Sequence, residues 1–125
     1  KTGGGSWLVL SDRRLKSLHG PYDRGLSEIG QLNPVRYSYR PNAELARHNE
    51  GPHIGLIAQE VAEVIPEAVE TSQDGYLVVD NDPILWTMLN AIKELKAENE
   101  QLRQRLEALE SQLNDPTADR TNLLP

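Results

Sequence analysis

The sequence predicts an α+β fold, in which a small mixed part with short strands and helices precedes a long C-terminal helix that forms a parallel coiled coil. Short apolar runs alternate with Gly and Pro turns in the first two thirds of the chain. A heptad repeat then runs from Leu85 to Leu113. Only 38% of the 125 residues are hydrophobic and none is Cys, so a stable core needs apolar surface from neighbouring chains.

The first forty residues predict short elements between turns. Trp7 to Leu10 is an apolar run typical of a strand. Turn-forming pairs at Gly20-Pro21 and Asn33-Pro34 flank a short helix expected from Leu26 to Leu32. Val35 to Tyr39 alternates apolar and polar residues, which predicts a half-buried strand.

The middle of the chain predicts a surface loop, a helix and a hairpin. The loop is polar and covers residues 40–53. Apolar residues recur at helical spacing from Leu56 to Ile65, and Pro66 ends this helix because proline lacks a donor N–H. A turn at Asp74-Gly75 joins the two arms of a hairpin expected over residues 67–80.

The long helix begins at Asn81-Asp82-Pro83, where a cap residue precedes a first-turn proline. Its apolar residues are spaced alternately by three and four positions, and the other faces are almost wholly charged or Gln, which favours a coiled coil over packing on its own domain. This seam comprises Leu85, Met88, Ile92, Leu95, Asn99, Leu102, Leu106, Leu109 and Leu113. Asn99 favours a dimer and fixes register, whereas Leu at other a positions weakens that preference, so the seam leaves dimer or trimer open.

Charges beside the seam predict that the chains run parallel. Glu98 at a g position would face Arg103 at the next e position of a neighbour, and Arg105 would likewise face Glu110. Both pairs are opposite in sign. Exposed pairs contribute little to stability, so these charges select the geometry.

The overall charge and the residue types exclude several functions. A net charge of −6 disfavours nucleic acid and anionic membrane surfaces as partners, and no apolar run could span a bilayer. The three histidines, His19, His48 and His53, do not follow a metal-binding spacing, and Cys is absent. We therefore expect no metal and no cofactor.

Ser11 and Lys16 form the pairing that can support nucleophilic chemistry. A serine hydroxyl needs a base to take its proton, and a lysine can be that base if its pKa falls well below about 10.4. Burial or a nearby cation has this effect, and Arg13 and Arg14 are close in sequence. The spacing alone equally fits an ordinary turn with a solvated lysine.

The order of two motifs along the chain carries a family resemblance. The run Ser-Asp-Arg-Arg-Leu-Lys from Ser11 to Lys16 lies upstream of Gly-Leu-Ile-Ala-Gln-Glu-Val from Gly55 to Val61, and the heptad helix follows. In this order, residues 7–113 resemble the self-cleaving C-terminal intramolecular chaperone of bacteriophage tail spikes, tail fibres and neck appendages. Endosialidase tail spikes carry the best-known example, and the myelin regulatory factor family carries a related domain.

The resemblance implies a homotrimer that helps the upstream fibre or spike to fold and then cuts itself off between Leu10 and Ser11. Ser11 would be the nucleophile and Lys16 the general base. His53, Gln59 and Glu60 are further candidates that would assist this dyad. The protein would belong to a virion tail precursor in the host cytoplasm during assembly, and the chaperone would be released after cleavage.

The same resemblance divides the chain into four parts. Residues 1–10 would end the upstream fibre, 11–83 would form the globular part, 84–114 the coiled coil and 115–125 a disordered tail. Three alternatives stay open. They are a trimerisation and folding module that does not cut, an autoproteolytic domain of an intracellular regulator, and a plain coiled-coil interaction protein.

Overall fold

The computed structural model describes residues 8–41, 43–44 and 51–117. Its elements are short except for the last, and they confirm the α+β class with a long C-terminal helix. In chain order they are helix α1 (Leu26–Ile29), strands β1 (Val35–Tyr37) and β2 (His53–Gly55), helix α2 (Ala58–Val64), strands β3 (Val69–Thr71) and β4 (Leu77–Val79), and helix α3 (Asn81–Asn114). Two 3₁₀ turns lie at Arg13–Leu15 and Pro66–Ala68. None of the described helices is long and apolar enough to cross a membrane.

Strands β1 and β2 form an antiparallel pair in which Val35 lies opposite Gly55 and Tyr37 opposite His53. Strand β2 corrects the predicted surface loop, whose last residue, His53, is paired. The pattern of apolar and polar residues did not indicate this strand, because the strand is three residues long and ends in glycine. A Cβ at Gly55 would lie 3.2 Å from the Tyr37 ring, so the missing side chain lets the ring pack over the strand.

Strands β3 and β4 form the predicted hairpin, with Val69 opposite Val79. Its turn is closed by hydrogen bonds from Ser72 N to Tyr76 O at 2.8 Å and from Gly75 N to Ser72 O at 3.0 Å. Gly75 has a φ of 86°, a left-handed conformation that favours glycine. The Asp-Gly pair therefore indicated the turn correctly.

A small core joins α2, the turn after it and the start of α3. Val61, Ile65, Ala68 and Ile84 are buried together, and Leu32, Leu56, Val64, Val69 and Val79 pack around them. Helix α2 ends at the predicted place, immediately before Ile65 and Pro66. Asp80 caps the next helix by accepting a hydrogen bond from Asp82 N at 3.0 Å.

Helix α3 differs along its length. In its first three turns, Ile84, Thr87 and Ala91 are buried, and this face packs against α1. The expectation that the helix has no second packing face is therefore wrong for these turns. It was missed because two of the three buried residues are small or polar. From Ile92 to Asn114 every residue is exposed.

Residues 8–23 form an N-terminal arm in which every residue is exposed. Leu8 to Leu10 do not form the predicted strand, and Trp7 lies outside the described residues. Most of the predicted disordered tail, residues 118–125, also lies outside them.

Candidate active site

Ser11 and Lys16 meet in the N-terminal arm. The Lys16 Nζ donates a hydrogen bond to Ser11 Oγ at 2.5 Å. A 3₁₀ turn lies between them and folds the chain back, with Lys16 N bonded to Arg13 O at 3.1 Å. A lysine five residues after a serine thus reaches the hydroxyl through local structure alone.

Asp12 holds this turn in place. Its carboxylate accepts a hydrogen bond from Arg14 N at 2.9 Å and a side-chain bond from Arg14 Nη2 at 2.8 Å. The side-chain bond from Arg14, followed by the backbone bond, holds the pKa of Asp12 below its usual value, so this cap stays ionised. Because Arg14 is paired with Asp12, much of the repulsion that it could exert on Lys16 is cancelled.

The dyad is uncovered in the single chain. Ser11, Lys16 and the described residues next to them are all exposed to solvent. General-base catalysis needs a neutral amine, and burial is one of the ways to neutralise a lysine. The single chain therefore provides the geometry of the dyad without the dry surroundings that would activate it.

The three predicted assisting residues lie on other elements. His53 is in β2, where its ring centroid is 5.4 Å from that of Tyr37 and 5.5 Å from that of Tyr39. Gln59 and Glu60 lie exposed in the first turn of α2. Within the described part of the chain, no hydrogen bond joins either side chain to Ser11 or Lys16.

Residues 22–25 bind to α3 and to the end of α2, and these contacts anchor the arm. We call this set of contacts the latch. The Asn90 side-chain amide donates to Tyr22 O and to Arg24 O, both at 2.8 Å. The Arg24 Nη1 donates to Val64 O at 3.0 Å. The same segment leads directly into α1, where Gly25 N bonds to the Glu28 carboxylate at 2.9 Å.

Glu67 is the acidic centre of the latch. It accepts hydrogen bonds from the Tyr22 hydroxyl at 2.7 Å and from Arg24 Nε. Burial acts to raise the pKa of Glu67, but the bonds from Arg24 and Tyr22 outweigh it, so the pKa lies below its usual value. Burial is also the main cause of the raised pKa of Tyr22.

Sequence reasoning missed this latch. Its bonds to α3 and to the end of α2 join residues forty or more positions apart, and no local spacing reports them. The one available signal is Asn90, a polar residue between Leu89 and Ala91 at a position that is neither in the seam nor among the charged residues that follow.

The seam of α3 is exposed along its length. Ile92 and Leu102, for example, are 62% and 59% exposed. Within the single chain, Arg103 makes only a long contact of 3.8 Å with Glu100. The seam is therefore available to other chains.

Comparison with known proteins finds similarity in the region that runs from the dyad into the hairpin. Residues 11–70, which begin at the dyad and end in the hairpin, match the model of the peptidase S74 family, described as chaperone of endosialidase. Over these residues the chain is similar to the chaperone-of-endosialidase family. The match begins at Ser11, the residue whose hydroxyl faces Lys16.

Two curated relatives extend the similarity beyond that domain. The long tail fiber proteins Gp37 of Enterobacteria phage K3 and of Enterobacteria phage T2 are each 30% identical over 106 residues. The alignments cover 78% of this chain and 8% of each relative. The chain therefore spans a small part of the length of these two relatives.

Proposed function

We propose that this chain is the C-terminal intramolecular chaperone of a phage tail fibre or spike, which trimerises, assists folding upstream and then cuts the bond between Leu10 and Ser11. The hydrogen bond of 2.5 Å between Lys16 Nζ and Ser11 Oγ carries the catalytic part of this proposal. In this division, residues 1–10 end the fibre, 11–83 form the globular part, 84–114 the coiled coil and 115–125 a tail.

Cleavage begins with an N-to-O acyl shift. Neutral Lys16 takes the proton of the Ser11 hydroxyl, and Oγ attacks the carbonyl carbon of Leu10. The peptide C–N bond then breaks, and the proton passes to the Ser11 nitrogen. The product is an ester between the Leu10 carbonyl and Ser11 Oγ, with a free α-amine on Ser11.

Hydrolysis completes the reaction. Water adds to the ester carbonyl, and the Ser11 hydroxyl leaves with a proton, so the fibre ends at a Leu10 carboxylate and the chaperone begins at Ser11. No cofactor takes part. The nucleophile is attached to the bond that it breaks, so proximity supplies much of the rate enhancement. Each chain reacts once.

A parallel homotrimer fits the seam and the family. The nine seam positions from Leu85 to Leu113 would interlock with those of two other chains, and Asn99 would fix their register. Three chains joined at their C-termini raise the effective concentration of the upstream segments, which helps a slow-forming interwoven fibre. Once the chaperone leaves, the persistence of the fibre is kinetic.

Trimerisation also explains how the dyad is switched on. Lys16 is exposed in the single chain, and covering it by a neighbouring chain would favour its neutral form. Cleavage would then occur only in assembled molecules. A variant that cannot associate, Ile92→Asp with Leu102→Asp, is expected to stay uncut.

Mass spectrometry of the purified chain tests the proposal. Wild type is expected to yield a fragment beginning at Ser11, whereas Ser11→Ala and Lys16→Ala lose the cleavage by about 1,000-fold or more. Ser17→Ala is the matched control, because Ser17 lies exposed in the same arm, and it is expected to cleave normally. Cleavage that persists in Ser11→Ala contradicts the proposed nucleophile.

A folding module that trimerises without cutting is the second candidate. The observation in its favour is the exposure of the dyad. It predicts trimers of the expected mass and no fragment beginning at Ser11, even after long incubation of the assembled protein.

A further inference from the structure

Two exposed apolar surfaces among the described residues lie outside the seam and on elements that the arm and α3 bring close together. The first is on the arm, where Leu15 and Leu18 are 68% and 64% exposed. The second is on the early turns of α3, where Trp86 and Leu89 are 54% and 49% exposed. We call this second surface the Trp86–Leu89 flank.

The flank is separate from the two faces of α3 that already have a role. The seam uses the a and d positions, and α1 covers the face that carries Thr87 and Ala91. Trp86 and Leu89 occupy positions b and e, on the opposite side of the seam from that face. A tryptophan and a leucine held in water on a helix indicate an interaction surface.

In a parallel assembly, heptad geometry predicts which part of the neighbouring helix lies opposite the flank. A g residue of one helix faces the e residue five positions on in its neighbour. Ile84 is at g, so the side of the helix where its own chain buries it faces the side that carries Leu89 in the neighbouring copy. Thr87, at c, lies next to this side of the helix, and together with Asn90, at f, it holds Tyr22 on the outer face beside it.

Tyr22 is the root of the arm, so the arm of one chain leaves α3 beside the flank of the next chain. Four residues of extended chain span at most about 14 Å. Packed helix axes lie about 8–10 Å apart. Leu18, four residues before Tyr22, can therefore reach the neighbouring helix, and Leu15 can reach farther along it.

We infer that the arm of each chain docks through Leu15 and Leu18 onto the Trp86–Leu89 flank of a neighbouring copy. This inference rests on the proposed function and gives its activation a location. Lys16 lies between the two leucines, so docking covers it and removes it from water. The active site is incomplete in a single chain because its cover belongs to another chain.

Glutamine substitutions test the docking without adding charge. Leu18→Gln in the arm and Trp86→Gln in the flank are both expected to slow cleavage at least 10-fold, while light scattering shows an unchanged oligomer mass. Both side chains are half exposed or more in the single chain, so its fold is not at stake. Val78→Gln, at an exposed residue of β4, is the matched control and is expected to cleave at the wild-type rate.

A mixing experiment identifies which chain supplies the flank. One chain carries Trp86→Gln and Leu89→Gln with an intact dyad, and the other carries Ser11→Ala with an intact flank. Co-refolded mixtures are expected to cut the first chain faster than it is cut alone, because its arm can dock on the second chain. No acceleration in mixed oligomers overturns docking between copies.

The outcomes separate this inference from the proposed function. A wild-type chain that never yields a fragment beginning at Ser11 refutes the proposed cleavage itself. A wild-type chain that cleaves, beside Leu18→Gln and Trp86→Gln variants that cleave equally fast, leaves the cleavage intact and refutes the docking.

Discussion

The two halves of helix α3 have the same secondary structure and opposite surroundings. Its first turns bury Ile84, Thr87 and Ala91 against the rest of the chain, and Asn90 holds the root of the arm there. From Ile92 to Asn114 every residue is exposed, including the seam leucines of those turns. The first half is therefore stabilised by its own chain, and the second half needs other chains.

Elementary energetics supports that division. An isolated helix of about twenty residues is marginal in water, and most helix stability in proteins comes from packing an apolar face. Each seam leucine that an oligomer covers contributes about 1.5–3 kcal/mol when burial is complete. The core of the globular part is small by comparison and is built around Val61, Ile65, Ala68 and Ile84.

The largest expected effect comes from disrupting the seam in the second half of α3 alone. Leu102→Asp with Leu109→Asp places charges in the seam at d positions and is expected to weaken association more than about 100-fold, because buried unpaired charges are costly. Sedimentation measures the mass, and the helical circular dichroism signal is expected to fall as the unpacked turns fray.

Gln101→Asp with Gln104→Asp is the matched control for the seam variant. It makes the same change in net charge on the outer side of the same turns, at c and f positions. Oligomers that survive in the seam variant, or that are lost in the control, contradict the assigned seam.

Disrupting the core that packs against the first half of α3 has the next largest effect. Ile65 is fully buried in the small core, so Ile65→Ala is expected to lower the free energy of unfolding by about 2–5 kcal/mol. Urea unfolding followed by circular dichroism measures the loss. Ile54→Ala, at a residue that is 76% exposed, is expected to change the midpoint little. Equal losses in the two variants would place the core elsewhere.

The sequence predicted best where one periodic pattern decided the structure. The heptads gave the long helix, Pro66 the end of α2, and Asp74-Gly75 the hairpin turn. Prediction failed where the formation of a strand depends on a neighbouring strand. Strand β2 is three residues long and exists through its pairing with β1, and Leu8 to Leu10 have strand propensity but form no strand.

The candidate site shows the same contrast. The contact between Ser11 and Lys16 lies within one turn, so residue spacing could suggest it. The latch joins Asn90 and Glu67 to Tyr22 and Arg24 across the fold, and residue types alone do not state which of many polar side chains will meet. The function of Gln59 and Glu60 stays a prediction, because their role would depend on the assembly.

A smaller effect is expected from loosening the latch. Asn90→Ala removes two hydrogen bonds to backbone carbonyls, and water can replace part of them because Tyr22 is exposed. The free energy of unfolding is expected to fall by about 1 kcal/mol, because the higher helix propensity of alanine offsets part of the lost hydrogen bonding. Urea unfolding measures it, with Asn81→Ala at the exposed start of α3 as control. A neutral Asn90→Ala would mean that the arm is held by other contacts.

The smallest effect is a dependence of stability on pH that Glu67 contributes. Burial acts to raise its pKa, but the bonds from Arg24 and Tyr22 outweigh burial and lower it in the folded state. A group with a depressed pKa stabilises the fold above its usual value of 4.5 and loses that contribution as the pH falls through the lower, folded value. The side chains of Arg24 and Glu67 are 30% and 37% exposed, so the contribution is at most about 1 kcal/mol.

Glu67→Gln isolates this contribution. Glutamine keeps the size of the side chain and removes the titration, so the variant is expected to be less stable than wild type at pH 7 and to approach it as the pH falls below 4.5. Glu28, whose pKa the backbone N–H of Gly25 lowers and the charge of Glu67 raises, titrates in both proteins, so the difference between their urea midpoints reports Glu67 together with its effect on Glu28. A gap that stays constant from pH 7 to pH 3 would show that the carboxylate charge does not hold the latch. The anchor of the arm would then rest on Asn90 and the backbone, and the first half of α3 would depend on pH no more than the second.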